Sequence, residues 1–191
     1  NERAPTVTLT SSASSIAENS GSSLTLTATL SVATTADVTV GISTTGTGTE
    51  GTDYATISDI TISAGATTGT ASFTPTDDSV YEGNETGIVA IDTVSGGSAT
   101  EDGTQSVTIT ITENESSPTV TLTSSASSIA ENSGSTITLT ATISQAADED
   151  VTVNLGAAGT STNGTDYGSI SSITVSAGAT TGTATFDPTD D

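Results

Sequence analysis

The chain has no cysteine, histidine, methionine, tryptophan or lysine, and its one basic residue, Arg3, stands against 23 acidic side chains. The absence of cysteine excludes disulfide bonds. Nucleophilic catalysis by serine or threonine needs a base such as histidine or lysine, and the chain has neither. Five aromatic residues are too few to line a sugar cleft. We therefore expect that the chain is not an enzyme.

The net charge of −22 disfavours nucleic acid and anionic lipid as partners, because both need clustered Lys and Arg. No apolar run approaches the roughly 18 residues of a membrane span, so no direct membrane insertion of this segment is expected. Cations are the natural partners. Low hydrophobicity with high charge is typical of disorder, but Leu24, Leu26, Ala28 and Leu30 alternate with threonines, which indicates half-buried strands.

Residues 5–78 recur as residues 118–191 at a constant offset of 113, with 54 of the 74 aligned pairs identical. We interpret residues 1–4 as the tail of a preceding repeat, 5–115 as a complete repeat and 116–118 as a linker. Residues 119–191 are then the first part of a second repeat that lacks its last two strands. So short a linker restricts bending between modules, and neighbouring repeats or copies of the chain itself are expected partners.

Period-two patterns bounded by Gly- and Asn-rich turns predict about seven short strands per repeat and no helix. This indicates an all-β fold, an immunoglobulin-like antiparallel β-sandwich. The strands predicted in the first repeat are Thr6–Thr10, Ser23–Ser31, Asp37–Ser43, Ile57–Ser63, Thr70–Thr74, Thr86–Thr93 and Gln105–Thr112.

Eight acidic residues of the first repeat lie in predicted loops, which converge at one end of such a sandwich. Carboxylates about 4 Å apart repel by roughly 4 kcal/mol per pair at an effective dielectric of 20, so the cluster needs a counterion. Ca²⁺ fits, since it takes about 6–8 oxygen ligands, whereas transition metals favour His and Cys. The eight are Glu18, Asp53, Asp77, Asp78, Glu82, Glu85, Glu113 and Glu115.

At these residues the chain resembles the Calx-beta family, through Ala17-Glu18-Asn19-Ser20-Gly21, Gly51-Thr52-Asp53-Tyr54 and the spacing Asp-Asp-x-x-x-Glu-x-x-Glu from Asp77 to Glu85. The resemblance implies calcium ions at one tip of the sandwich, bound by these carboxylates together with the backbone carbonyl of Val80. In the second repeat it implies a partial site. The matching residues there are Glu131, Asp166, Asp190 and Asp191.

The sequence favours a calcium-stiffened structural repeat of a long extracellular stalk, adhesin or matrix fibre. Two alternatives stay open. One is a filament subunit whose incomplete second repeat is completed by strands from a neighbouring chain, and the other is a calcium-sensing regulatory module. Tyr54 and Tyr167 are interpreted as packing residues. Surface charges without a role are expected at Asp37, Asp59, Asp92, Glu101 and Asp102.

Overall fold

The computed structural model describes residues 4–190, which fall into two compact units. The first unit holds the described residues up to Asp78 together with Gly83–Asn114, and the second holds Ser79–Glu82 and the described residues from Glu115 onward. The repeat boundaries read from the sequence stay a prediction. No helix in the described part of the chain is long and apolar enough to cross a membrane.

The first unit contains nine strands in two sheets. The strands are β1 (Thr6–Ser11), β2 (Ser15–Ala17), β3 (Leu24–Leu30), β4 (Val38–Gly46), β5 (Ile60–Ile62), β6 (Thr68–Phe73), β7 (Glu85–Ser95), β8 (Thr100–Glu101) and β9 (Ser106–Thr112). One sheet has the order β6-β3-β1-β8 and the other the order β2-β9-β7-β4-β5. Most neighbours pair antiparallel, while the short strands β2 and β8 pair parallel with β9 and β1.

The expected immunoglobulin-like sandwich is confirmed, with two additions to its strands. All seven predicted strands are present, but β2 and β8 were not predicted, and Glu18–Ser20 forms a 3₁₀ turn where no helix was expected. The core of the unit draws on both sheets: Leu26 and Ala28 of one, and Val40 and Ile109 of the other, are completely buried. The threonines that alternate with these residues lie on the outer faces, which is the ordinary pattern of a half-buried sheet.

The second unit contains counterparts of the first five predicted strands. They form a three-stranded sheet of order β10-β11-β14 and a two-stranded sheet of β12 and β13. Ala141, Ile143, Ile173 and Val175 make a small buried core. The strands are β10 (Val120–Ser124), β11 (Ile137–Ile143), β12 (Val151–Val153), β13 (Ile173–Val175) and β14 (Thr181–Phe186), with a 3₁₀ turn at Glu131–Ser133.

Three of the five acidic residues expected to have no role accept backbone hydrogen bonds. Asp37 Oδ1 accepts the Ala64 N–H at 2.8 Å. Asp59 accepts the Ile42 N–H at 3.1 Å, and Glu101 accepts the Gln105 N–H. These carboxylates hold backbone segments in place rather than merely add solubility, so the expectation that they have no role was wrong for them.

Because Asp37 holds the loop that precedes β6, replacing it should destabilise the first unit. We expect Asp37→Ala to lower the free energy of unfolding by about 1 kcal/mol, the typical net value of one hydrogen bond. Asp92→Ala is the matched control, since Asp92 is an exposed acidic residue on β7 and should change stability by less than about 0.5 kcal/mol. Urea unfolding in a calcium-containing buffer measures both, and equal effects would contradict a structural role for Asp37.

Candidate metal centre

Six of the predicted first-repeat ligands form two groups of three carboxylates. One group is Glu18, Glu113 and Glu115, and the other is Asp53, Glu82 and Glu85. Within each group one oxygen per residue lies within 4.8 Å of the others. Glu82 directly precedes Gly83 and Glu115 directly follows Asn114, so chain continuity places both beside residues of the first unit.

The spacing within each group suits a cation of calcium's size. Two oxygens bound to one Ca²⁺ at about 2.3–2.6 Å can be at most roughly 4.6–5.2 Å apart. Three carboxylates supply up to six oxygens, and backbone carbonyls and water can complete the usual coordination number. The donor set is oxygen only, because the chain has no His or Cys. Each group therefore fits one hard divalent cation.

Glu18 enters its group from the 3₁₀ turn that follows β2. The side chain is only 6% exposed, and its Oε1 accepts the backbone N–H of Asp78 at 3.2 Å. Burial of a carboxylate is costly unless a counter-charge compensates it. The sequence offers one basic side chain, Arg3, which lies outside the described residues. A bound cation would compensate the buried charge.

Glu113 enters the same group just after β9. Its Oε2 accepts the Gly83 N–H at 2.8 Å, and its Oε1 accepts the Asn114 N–H at 2.9 Å. Its own backbone N–H donates to Oδ1 of Asn84 at 3.0 Å. This role of Asn84 was not predicted from the sequence, although the asparagine lies directly beside the predicted ligand Glu85. These hydrogen bonds join the end of β9 to the loop before β7.

Asp53 lies in a tight turn that is held by local hydrogen bonds to Thr49. Its Oδ2 accepts the Thr49 N–H at 2.5 Å, and its own N–H donates to the Thr49 carbonyl at 2.9 Å. The same turn recurs in the second unit, where Asp166 accepts the Thr162 N–H. Asp53 is 8% exposed. The turn needs this aspartate for its geometry, so its substitution would change the fold as well as any metal site.

Tyr54 directly follows Asp53 in this turn, and its side chain is buried in the core. Its ring is 1% exposed and stacks on Phe73 with 4.7 Å between the ring centroids. Gly87 of β7 leaves the space for that stack, because a Cβ atom there would lie 2.7 Å from the Phe73 ring. Tyr167 is also buried, at 6% exposure, and packs on Phe186. Both tyrosines are packing residues, as the sequence indicated.

The pKa of the Tyr54 hydroxyl is raised above its ordinary value, mainly by burial and in part by nearby acidic side chains. Burial raises its pKa, a hydrogen bond with Thr44 lowers it, and the charges of Glu50, Asp53 and Glu85 raise it further. Glu50 was not predicted as a site residue. It accepts the Ile57 N–H at 3.0 Å and a hydrogen bond from the Thr44 hydroxyl.

The remaining predicted ligands lie outside the two groups. Asp77 and Asp78 are exposed, and Val80 is half-buried in the segment between the two acidic pairs. In the second unit Glu131 and Asp166 line one open cavity of about 440 Å³. Asp190 is exposed, Asp191 lies outside the described residues, and no group of three potential ligands in the described part of the chain includes a second-repeat residue. The partial second site stays a prediction.

Comparison with known proteins gives one family and several solved structures. The model of the Calx-beta domain matches residues 1–116 and 113–183. The apo-form Calx CBD1 domain is 18% identical with a TM-score of 0.48, covering 57% of this chain and 98% of that one. CBD12 from CALX1.2 is 18% identical with a TM-score of 0.47, covering 93% and 72%. The calcium binding domain CBD12 of CALX1.1 is 17% identical with a TM-score of 0.48, covering 93% and 74%. A comparison with curated proteins finds no match.

Proposed function

The chain belongs to the Calx-beta domain family, and we propose that it is a calcium-binding structural repeat that is stabilised by ions at the loop end of the first sandwich. The observation that carries the proposal is the pair of carboxylate groups, each able to surround one ion. The net charge of −22 supports it, because bound cations would offset the repulsion among the acidic side chains. We propose two calcium ions in the first repeat.

Each group joins segments that are distant in sequence. The Glu18 group draws on the turn after β2 and on the chain after β9, and the second group on the Asp53 turn and the start of β7. An ion in either group would therefore hold several loops together, as metal binding commonly couples to folding. We propose that this ordering stiffens the end of each repeat. We propose that the short linker of residues 116–118 restricts bending beyond it.

Near-identical repeats with calcium-ordered ends suit a spacer or fibre rather than a soluble sensor. We propose an extracellular or cell-surface setting, as part of a stalk, adhesin or matrix fibre. Calcium there is at millimolar concentration, which keeps sites with dissociation constants of about 10⁻⁴–10⁻³ M filled. The support for this setting is the repetition of 54 of 74 residues and the acidic charge.

Calorimetric titration with calcium tests the proposal. We expect two ions per chain in the first repeat, and each group can be weakened alone. Glu113→Gln and Glu85→Gln should each remove one ion or raise its dissociation constant by at least about tenfold. Glutamine keeps one acceptor oxygen, which can still accept the Gly83 N–H, and loses only the bond to the neighbouring Asn114 N–H, so the loops should stay folded.

Asp92→Asn is the control for a general loss of negative charge, because Asp92 is exposed on β7 and belongs to neither group. It should leave both the stoichiometry and the dissociation constants unchanged. The proposal fails if calcium releases no heat with the unmodified chain. It fails equally if the three variants lose affinity by the same small factor, since this would indicate diffuse attraction to a charged surface.

A further inference from the structure

The second unit contains a loop that pairs with a short tyrosine-bearing segment. Tyr81, in the segment Ser79–Glu82, donates its N–H to the Ala146 carbonyl at 2.9 Å. The Tyr81 carbonyl accepts the Asp148 N–H at 3.3 Å, and Tyr81 and Ala147 form a parallel bridge. These contacts are main-chain contacts on either side of the buried Ala147. The backbone of the loop Gln145–Glu149 thus pairs with Tyr81 as it would with a residue of a neighbouring β-strand.

The same loop exists in the first unit as Val32–Ala36, at the offset of 113. Identical anchors hold both loops, so they present the same backbone. In the first unit the anchors are Ser31 N–H to Thr6 O at 2.8 Å, Gly65 N–H to Thr34 O at 2.8 Å and Ala64 N–H to Asp37 Oδ1 at 2.8 Å. In the second they are Ser144 N–H to Thr119 O at 3.0 Å, Gly178 N–H to Ala147 O at 2.8 Å and Ala177 N–H to Asp150 Oδ1 at 2.9 Å.

Among the described residues, the first-unit loop lacks the pairing that the second-unit loop has. Within residues 4–190 no hydrogen bond reaches the Ala33 carbonyl or the Thr35 N–H, the counterparts of the two groups that bind Tyr81. Val32 is 53% exposed, whereas its counterpart Gln145 is half-buried. The loop also borders an open cavity of about 1180 Å³. An exposed apolar side chain beside an unused donor and acceptor is a ready site for strand addition.

We propose that Val32–Ala36 is a docking edge for the Ser-Val-Tyr-Glu segment of another Calx-beta repeat, the segment that Ser79–Glu82 represents in this chain. The tyrosine N–H donates to the Ala33 carbonyl, and the Thr35 N–H donates to the tyrosine carbonyl. The inference goes beyond calcium binding, because both bonds are made by backbone groups that are not predicted ligands. A repeat that carries both would bind the segment of one neighbouring repeat with its loop, and its own segment would bind the loop of another repeat.

Another repeat fits this edge better than an unrelated protein. The loops differ at four of their five positions, with Val32, Thr34, Thr35 and Ala36 in place of Gln145, Ala147, Asp148 and Glu149. Pairing through the main chain tolerates these changes, since the backbone groups stay the same. The described chain itself supplies the one occupant seen on such a loop, and it is a segment of a repeat.

A three-repeat chain tests the proposal, with a copy of residues 5–117 joined directly before Pro5 of the present sequence. The readout is amide hydrogen exchange of Thr35 in saturating calcium, measured by NMR. In the present chain we expect Thr35 to exchange fast and Asp148 to exchange slowly, because only the Asp148 N–H has a partner. In the three-repeat chain we expect the exchange of Thr35 to slow by at least about tenfold.

Two substitutions at the added copy's equivalent of Tyr81 separate backbone pairing from other effects. Proline there removes the N–H donor and should restore fast exchange at Thr35. Alanine there keeps both backbone bonds and should leave Thr35 slow. In the present chain Tyr81→Pro and Tyr81→Ala should do the same to Asp148. Fast exchange of Thr35 in the three-repeat chain, with Asp148 still protected, would overturn the proposal.

Discussion

Saturating calcium should raise the melting temperature of the first unit by about 10 °C or more over its value in excess chelator. A ligand at 100 times its dissociation constant stabilises the folded state by about 2.7 kcal/mol per site. For a unit of about 110 residues each kcal/mol corresponds to roughly 4 °C. Differential scanning calorimetry in calcium, in magnesium and in chelator measures the shift. Magnesium should give a much smaller rise, because it demands a near-ideal octahedron and gives up water reluctantly.

The size of the effect follows from what the fold brings together. Carboxylates about 4 Å apart repel by roughly 4 kcal/mol per pair at an effective dielectric of 20, and each group holds three of them. Glu18 adds the cost of burial. In chelator this repulsion and burial destabilise the first unit. In calcium the bound ion attracts the same carboxylates, so they stabilise it. Calcium should therefore alter the stability of this unit more than any single surface substitution does.

One substitution should change sign between the two conditions. Glu113→Gln removes a ligand, so in calcium it should lower the melting temperature. In chelator it removes a repelling charge, and the glutamine carbonyl can still accept the Gly83 N–H. The bond from the Asn114 N–H to Oε1 is lost at a cost of about 1 kcal/mol, which is smaller than the roughly 4 kcal/mol of repulsion per carboxylate pair. The melting temperature should therefore rise by a few degrees. Asp92→Asn should do neither. A lower melting temperature for Glu113→Gln in both buffers would show that Glu113 acts through its hydrogen bonds, and equal melting in calcium and chelator would contradict the calcium-stabilised repeat.

The sequence predicted the fold where a strand is long enough to show its period. Leu24–Leu30 alternates over seven residues, and the structure buries every second one from Leu26 on. Ser15–Ala17 and Thr100–Glu101 are too short to show any period, and each pairs in parallel with a distant strand. Their existence depends on tertiary contacts, which no local pattern encodes.

For the candidate site, the positions of the loops predicted which carboxylates could lie close together, but not how they separate into two groups of three. Glu18 and Glu113 lie far apart in sequence, and only the pairing of β2 with β9 brings them together. For Asp53 the sequence missed a structural role, because its carboxylate also accepts a hydrogen bond that closes its own turn. The sequence around Asp53 matched a ligand motif and gave no sign of this hydrogen bond. Asp37 was missed for the same reason, since a backbone acceptor in a loop is indistinguishable from a surface charge in sequence.

Phe73→Ala should lower the free energy of unfolding of the first unit by about 3–5 kcal/mol, the usual range for removing a buried phenylalanine. Phe73 is fully buried between Tyr54 and the backbone at Gly87. Since domains are stable by only about 5–15 kcal/mol, the variant should be close to unfolding. Phe186→Ala is the matched control, because Phe186 is the counterpart at half burial and should cost less. Residue-resolved urea unfolding by NMR separates the units through Ile60 and Ile173, which are both fully buried.

The same substitution should also weaken calcium binding, although Phe73 is not a ligand. Its ring supports Tyr54, and Tyr54 follows the turn that holds Asp53 in place. Loss of the stack lets that turn move, so the second carboxylate group should lose affinity while the Glu18 group, on other loops, loses less. Titration of Phe73→Ala with calcium in the absence of urea measures both ions separately. If both ions bind as tightly as in the unmodified chain, the aromatic stack serves only the core and the turn holds its shape through the Thr49 hydrogen bonds alone.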